Sequence, residues 1–184
     1  MSIWGGITGG LLGFVVLGPI GALVGSVIGS NLSSRSSRRR PNNFDKQVAF
    51  FAALFACLAK IAKADGRVDE SEVNKIEEII SSKLNLKGEH RKFAINIFQK
   101  AKDDNVSFEA YASNLYQILS SSPNSLLVFY EMLFELALAD GNLHPNEDDL
   151  LKKIPRIFKF DNKVYQSLYE KYVDQTKNYF KTLG

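Results

Sequence analysis

The sequence predicts an all-α protein, a bundle of about seven helices preceded by a single membrane helix. Three observations predict it. Apolar residues recur at three- and four-residue spacing from Phe44 onward, a fifteen-residue pattern occurs twice at an offset of 75, and residues 1–34 contain no Lys, Arg, Asp or Glu. No alternating, strand-like run competes with the helical spacing.

Composition bounds the rest. With 184 residues, 45% hydrophobic and 23% charged, the chain can bury a core, and Cys57, its one cysteine, excludes an internal disulfide. The net charge of +3 is unevenly placed. Arg35, Arg38, Arg39 and Arg40 are the only charged residues before Asp45, so residues 1–44 carry +4 and the remainder carries −1. A helical part with that balance lacks the basic footprint of a nucleic-acid binder, and no nucleic-acid partner is expected.

Residues 3–32 supply about thirty uncharged, mostly apolar residues where roughly twenty span a bilayer core. The arginines follow this run and no A-x-A cleavage pattern is present, so a cleaved secretory signal fits poorly. Residues 1–32 are therefore expected to be a glycine-rich anchor in the lipid bilayer, with Trp4 at the outer interface. The positive-inside rule puts the N-terminus outside and residue 35 onward in the cytoplasm. Nine of the thirteen glycines lie in this anchor, where Gly5, Gly9 and Gly13 form one row at four-residue spacing and Gly21, Gly25 and Gly29 another. Two readings stand: the rows pair two copies or pack on another membrane protein, or glycine merely lowers the hydrophobicity of the segment. At Gly18-Pro19 a kinked single helix is favoured over a re-entrant hairpin, whose legs would be only about 22 Å long. Residues 33–43 form a polar, basic linker whose arginines attract anionic headgroups at roughly 1 kcal/mol each.

The helical domain is expected over residues 44–184. Phe44, Val48, Phe51, Leu54, Phe55, Leu58 and Ile61 make one apolar stripe, and Val73, Ile76, Ile79, Ile80 and Leu84 the next. Further helices are expected near 88–102, 107–121, 123–140, 145–159 and 161–182, separated by turn-forming Asn, Asp, Gly and Ser-Pro clusters. Ser122 with Pro123 reads as an N-cap and first helical residue, and Pro155 should kink or shorten the sixth of these helices.

The repeat carries the most specific signal. Residues 62–76, AKADGRVDESEVNKI, align without a gap with residues 137–151, ALADGNLHPNEDDLL. Asp65 matches Asp140, Gly66 matches Gly141, Val68 matches Leu143 and Glu72 matches Glu147. Each copy ends one helix, turns at Asp-Gly, inserts one apolar residue and starts another helix, so the domain reads as two pseudo-repeated helix-turn-helix halves. Asp-Gly-x-[V/L]-x-x-x-Glu reproduces the second half of an EF-hand calcium loop. The first half is absent, because Ile61 and Lys63, or Leu136 and Leu138, stand where carboxylates are needed. A self-contained EF-hand is rejected, yet Asp65, Glu72, Asp140 and Glu147 together would make a four-carboxylate site for a divalent cation such as Ca²⁺, Mg²⁺ or Mn²⁺. The competing reading is structural. Asp69 with Glu72 forms a capping box, Pro145 and Glu147 take the first and third positions of the equivalent helix, and such caps stabilise by roughly 0.5–2 kcal/mol.

Two A-D-G-x-[V/L]-x-x-x-E motifs in about 130 helical residues resemble the tellurite-resistance TerB domain, over roughly residues 47–174. The order of glycine-rich anchor, arginine cluster and Phe-Phe-Ala at 50–52 resembles the N-terminal portion of DjlA, the membrane-anchored DnaJ-like co-chaperone family, and A-D-G-N-L-H-P-N-E at 139–147 is especially similar. The resemblance implies a bacterial inner-membrane protein, N-terminus outside, with a cytoplasmic TerB-like domain and a homodimer through the anchor. It also implies metal binding on Asp65, Glu72, Asp140 and Glu147. The J domain that follows in those proteins is not found before Gly184, and His144-Pro145-Asn146 is not its His-Pro-Asp tripeptide. Direct stimulation of an Hsp70 ATPase is accordingly not expected.

Little suggests catalysis, and no catalytic residue or organic cofactor is expected. His90 reads as a solvated helix-start residue and Cys57 as a buried thiol on an apolar face. Tyr165, Tyr169, Tyr172, Tyr179 and Phe180 recur on the last helix, as core packing or as a stripe that docks a partner. The expected function is a non-enzymatic, membrane-tethered interaction or scaffold module with a cytoplasmic protein partner, linked to chaperone or stress response. The alternative is a metal-binding tellurite- or stress-resistance protein.

Overall fold

The computed structural model describes residues 18–28, 43–66, 70–138 and 141–174, without the side chains of residues 65, 71, 72, 75, 79 and 83. Nine α-helices and no strand occur among the described residues. They are α1 (Pro19–Ile28), α2 (Asn43–Ala62), α3 (Glu70–Lys83), α4 (Glu89–Asp103), α5 (Phe108–Leu119), α6 (Pro123–Ala137), α7 (Pro145–Leu151), α8 (Ile154–Phe158) and α9 (Lys163–Tyr169). A 3₁₀ turn, Lys63–Asp65, follows α2, and a π-helical turn, Glu170–Asp174, extends α9.

The all-α expectation holds, and α2 shows why. Ala49, Ala52, Ala53, Leu54, Phe55, Ala56, Cys57 and Ala59 are all fully buried. A helix that is apolar on every side belongs in the middle of a bundle, and the alanines let neighbours approach on several faces. α4, α5, α6 and α1 pack around it. Cys57 is buried, and desolvation pushes its thiol well above the ordinary value of 9.0, so it is a packing residue without nucleophilic character.

Local chemistry accounts for most boundaries. Ser107 caps α5, its hydroxyl accepting from the Ala110 N–H at 3.1 Å. Pro123 opens α6 after Ser122, which occupies the cap position without a side-chain cap bond. Pro155 divides the helix expected over 145–159 into α7 and α8, because proline fits a first turn and not a helix interior. α6 stops at Ala137, ahead of the Asp-Gly turn.

The anchor differs from expectation where it is described. Gly18 has φ +95° and α1 begins at Pro19, while the residues before Gly18, and with them the choice between a kinked helix and a hairpin, lie outside the described residues. α1 has ten residues, about 15 Å, and among the described residues no helix is long and apolar enough to cross a membrane. α1 instead packs on α4, α2 and α5. Ile20 and Val24 are fully buried and Leu23 nearly so, each burial contributing roughly 1.5–3 kcal/mol. Buried Asn114 of α5 accepts the Ile20 N–H at 3.0 Å and so serves α1 as an N-cap from another helix. A Cβ on Gly18 would lie 2.7–2.9 Å from the Asn114 side chain, so glycine is required there by space as well as by φ. Of the glycine rows, Gly25 has no neighbour within 4 Å of where a Cβ would stand, while Gly5, Gly9, Gly13 and Gly29 lie outside the described residues.

Candidate functional site

The paired repeat turns are the natural place to look for a site. In the first copy α2 tightens into the 3₁₀ turn and Gly66, at φ +99°, donates its N–H to the Lys63 carbonyl at 2.8 Å. In the second, Gly141, at φ +87°, donates to the Leu138 carbonyl at 2.8 Å. Residues 63 and 66 pair with 138 and 141 at the same offset of 75 as the sequence repeat, so the pseudosymmetry extends to single hydrogen bonds. Left-handed backbone after a helix is the geometry that glycine supplies without a Cβ clash.

The fold brings the helix that follows the second turn onto the first turn. α7 packs on the 3₁₀ turn, and the Asn146 side-chain amide donates to the Ala64 carbonyl at 3.3 Å. A shallow depression of about 370 Å³ lies between them, with Lys60, Glu109, Asn146 and Asp149 among its lining residues. A lysine beside two carboxylates is a mixed surface, unlike the all-oxygen shell that a hard cation prefers.

Of the four expected ligands, only Glu147 has a described side chain. Its carboxylate accepts the His144 backbone N–H at 3.0 Å, the reciprocal bond of a capping box at the start of α7. Pro145 and Glu147 hold the first and third helical positions, as the structural reading expects. The side chains of Asp65 and Glu72, and all of Asp140, lie outside the described residues, as does Asp69. Among the described residues no group of three or more His, Cys, Asp or Glu is placed to hold a metal ion.

Two polar clusters escaped the sequence reading. At the end of α2 the Lys60 ammonium reaches both the Asp104 carboxylate, at 2.7 Å, and the Asp104 carbonyl, at 3.0 Å, while the Tyr111 hydroxyl and the Val106 N–H donate to the same carboxylate. Burial, then the bond to Asp104, pushes the Tyr111 phenol far above its ordinary 10.0. The second cluster joins the last helix to the second repeat. Tyr165 donates to Asp148 at 2.5 Å, and Lys152 meets the other oxygen of that carboxylate at 2.7 Å. Residues 44 positions apart, as Lys60 and Asp104 are, or 17 apart, as Asp148 and Tyr165 are, give no periodic signal, so neither pairing was legible. Tyr165 and Tyr172 lie against Phe134 at 5.9 and 6.3 Å, which makes them packing residues; Tyr179 and Phe180 lie outside the described residues. His90 is the second residue of α4 and is half-buried.

Comparison with known proteins agrees with this architecture. Residues 51–169 match the family model for tellurite resistance protein TerB, and residues 1–39 match the co-chaperone DjlA transmembrane domain. Among curated relatives, co-chaperone protein DjlA of Photobacterium profundum is 32% identical over 173 residues, covering 88% of this chain and 62% of the relative. The protein of the same name from Coxiella burnetii is 29% identical, covering 90% of this chain and 66% of the relative, and that from Escherichia coli O6:H1 is 29% identical, covering 82% and 57%. The chain therefore spans somewhat less than two thirds of the length of these relatives. No solved structure matches it significantly.

Proposed function

Because this chain belongs to the TerB family over residues 51–169, we propose that it is a non-enzymatic, membrane-anchored TerB module that works with chaperones by binding proteins. The observation that carries this reading is the joint match in one chain, an N-terminal segment similar to the DjlA transmembrane domain followed directly by the TerB region. The relatives that share both parts are named co-chaperones, which supports a chaperone-linked role. The arginines at 35, 38, 39 and 40 support a cytoplasmic helical domain with the N-terminus outside. The anchor's first glycine row, Gly5, Gly9 and Gly13, supports self-association as its route to a homodimer.

Membranes from cells making the full chain test the topology. The protein should resist carbonate extraction, and protease should remove the helical domain from inverted vesicles only. Release by carbonate, or digestion from the outer face, overturns this reading. Cross-linking in intact cells tests the role: products with a chaperone or its clients are expected, and self-products alone would remove it.

The metal reading has one supporting observation, the packing of α7 on the turn that contains Asp65. Titrating Ca²⁺, Mg²⁺ and Mn²⁺ during thermal unfolding separates it from the capping reading. A bound ion at 100 times Kd stabilises by about 2.7 kcal/mol, a shift of roughly 5 °C that an Asp65→Asn/Asp140→Asn variant should abolish. On the capping reading no ion moves the transition.

A further inference from the structure

We infer that residues 18–28 are shared between the bilayer and the bundle: α1 seats on the helical domain where the membrane is thin and is drawn into hydrocarbon where it is thick, so membrane thickness covers or uncovers a face of the domain. This rests on the membrane-anchored reading above and goes beyond it by giving part of the anchor a second, competing seat.

Length sets up the competition. Residues 1–39 match a transmembrane domain, yet α1, which lies within that match, packs on α4, α2 and α5. With α1 on the bundle, the uncharged run from Ile3 keeps only residues 3–17 for the membrane, about 22 Å as a helix where the hydrocarbon core is roughly 30 Å. Drawing in residues 18–28 extends that reach to about 39 Å. A span too short for its bilayer is penalised for each ångström of mismatch, so a thicker bilayer pulls harder on α1.

The segment suits both seats. Every residue of α1 is uncharged, and its one side-chain hydroxyl, on Ser26, donates to the Leu23 carbonyl at 2.7 Å, so no polar side chain would be stranded in hydrocarbon. Ile20, Leu23 and Val24 are buried in the bundle, and lipid tails would surround them with material as apolar. What holds α1 on the bundle specifically is its first turn. The Asn114 carboxamide oxygen accepts the Ile20 N–H at 3.0 Å, and Gly18, at φ +95°, leaves room for that side chain. A helix running on through Gly18 into the membrane would satisfy the Ile20 N–H from its own backbone and would need no glycine there. The fourteen residues 29–42 between α1 and α2 reach at most about 50 Å when extended, so α1 can leave without unwinding α2.

The test is a distance. Nitroxides at Ser26→Cys and Gln99→Cys, exposed positions that line one cleft between α1 and α4, report docking of α1 on the full chain in nanodiscs loaded with one copy each. Buried Cys57 does not compete for the label. In thin dilauroyl-phosphatidylcholine discs dipolar EPR should give the short distance of the docked helix, and in thick dierucoyl-phosphatidylcholine discs a longer one should replace it. Gly18→Ala should lower the ratio of docked to withdrawn α1 roughly tenfold, because alanine is strained at positive φ and its Cβ would meet Asn114. Gly25→Ala adds the same methyl with nothing within 4 Å of it and should leave the ratio unchanged. A short distance in both discs, or a long one in both, overturns the proposal, as do equal effects of the two alanines. Release of the chain by carbonate overturns the anchored reading and this one with it, whereas retention with an unmoved pair overturns this one alone.

Discussion

Where they are described, the turns of the two repeat copies share their backbone geometry and differ in their surroundings. Both end a helix, both place a glycine at positive φ, and both close on the same carbonyl three residues back. Beyond the turn they diverge. The first copy leads into α3, which packs chiefly on α4 at the margin of the bundle and is tied there by the Glu77–Arg91 pair at 2.7 Å. The second leads into α7, whose last residue, Leu151, is fully buried and whose carbonyl accepts the Tyr130 hydroxyl at 2.8 Å. Ile76, its counterpart at the offset of 75, is only partly buried. A shared local code therefore sets the turns, while burial decides which copy holds the fold together.

That contrast is broken first at the matched apolar pair. Leu151→Ala should cost about 2–5 kcal/mol by urea unfolding and Ile76→Ala about half as much, because only the buried site leaves a cavity. Equal losses would show that α3 is as much part of the core as α7. The glycines should behave in the opposite way. Gly66→Ala and Gly141→Ala should each cost about 1–2 kcal/mol, and by equal amounts, since the penalty is backbone strain at positive φ. At Gly66 nothing lies within 4 Å of the added Cβ, so a larger loss there would mean that the turn does more than reverse the chain.

The smallest effect separates the ion pairs that flank the copies. Lys60, on the first copy's helix, is 11% exposed in its pair with Asp104, whereas Lys153, after the second copy, is 45% exposed in its pair with Glu109. The hydrogen bond from Lys153 holds the Glu109 carboxyl below its ordinary 4.5. A carboxyl whose folded value is depressed stabilises above the unfolded value and loses that contribution as pH falls through the folded one. Wild type should therefore exceed Lys153→Ala by about 0.2–1 kcal/mol at neutral pH, as exposed pairs do, and the gap should close below pH 4.5. A gap that persists in acid would show that Lys153 acts through its aliphatic stem.

Much of the molecule was legible in sequence because the responsible interactions are local. Helical spacing gives α2 through α6 within a few residues, proline at 123 and 155 marks helix starts, and the Asp-Gly repeats announce both turns. The cap role of Glu147 was legible for the same reason, its partner being three residues away. The four-carboxylate reading depends on distances between separate loops, which no spacing rule supplies.

By itself, then, the sequence determined the all-α class, the pseudosymmetric turns, the family and the charge-free N-terminal run, since periodicity, caps and positive-φ glycines act over a few residues. Tertiary structure alone decided that α1 packs on the bundle with Asn114 as its cap, that Lys60 closes on Asp104, and that Leu127 and Val128 stay exposed beside Phe50. Those outcomes depend on which apolar surfaces compete for burial and on groups 44 to 94 residues apart meeting in space, and such contacts leave no periodic trace in the chain.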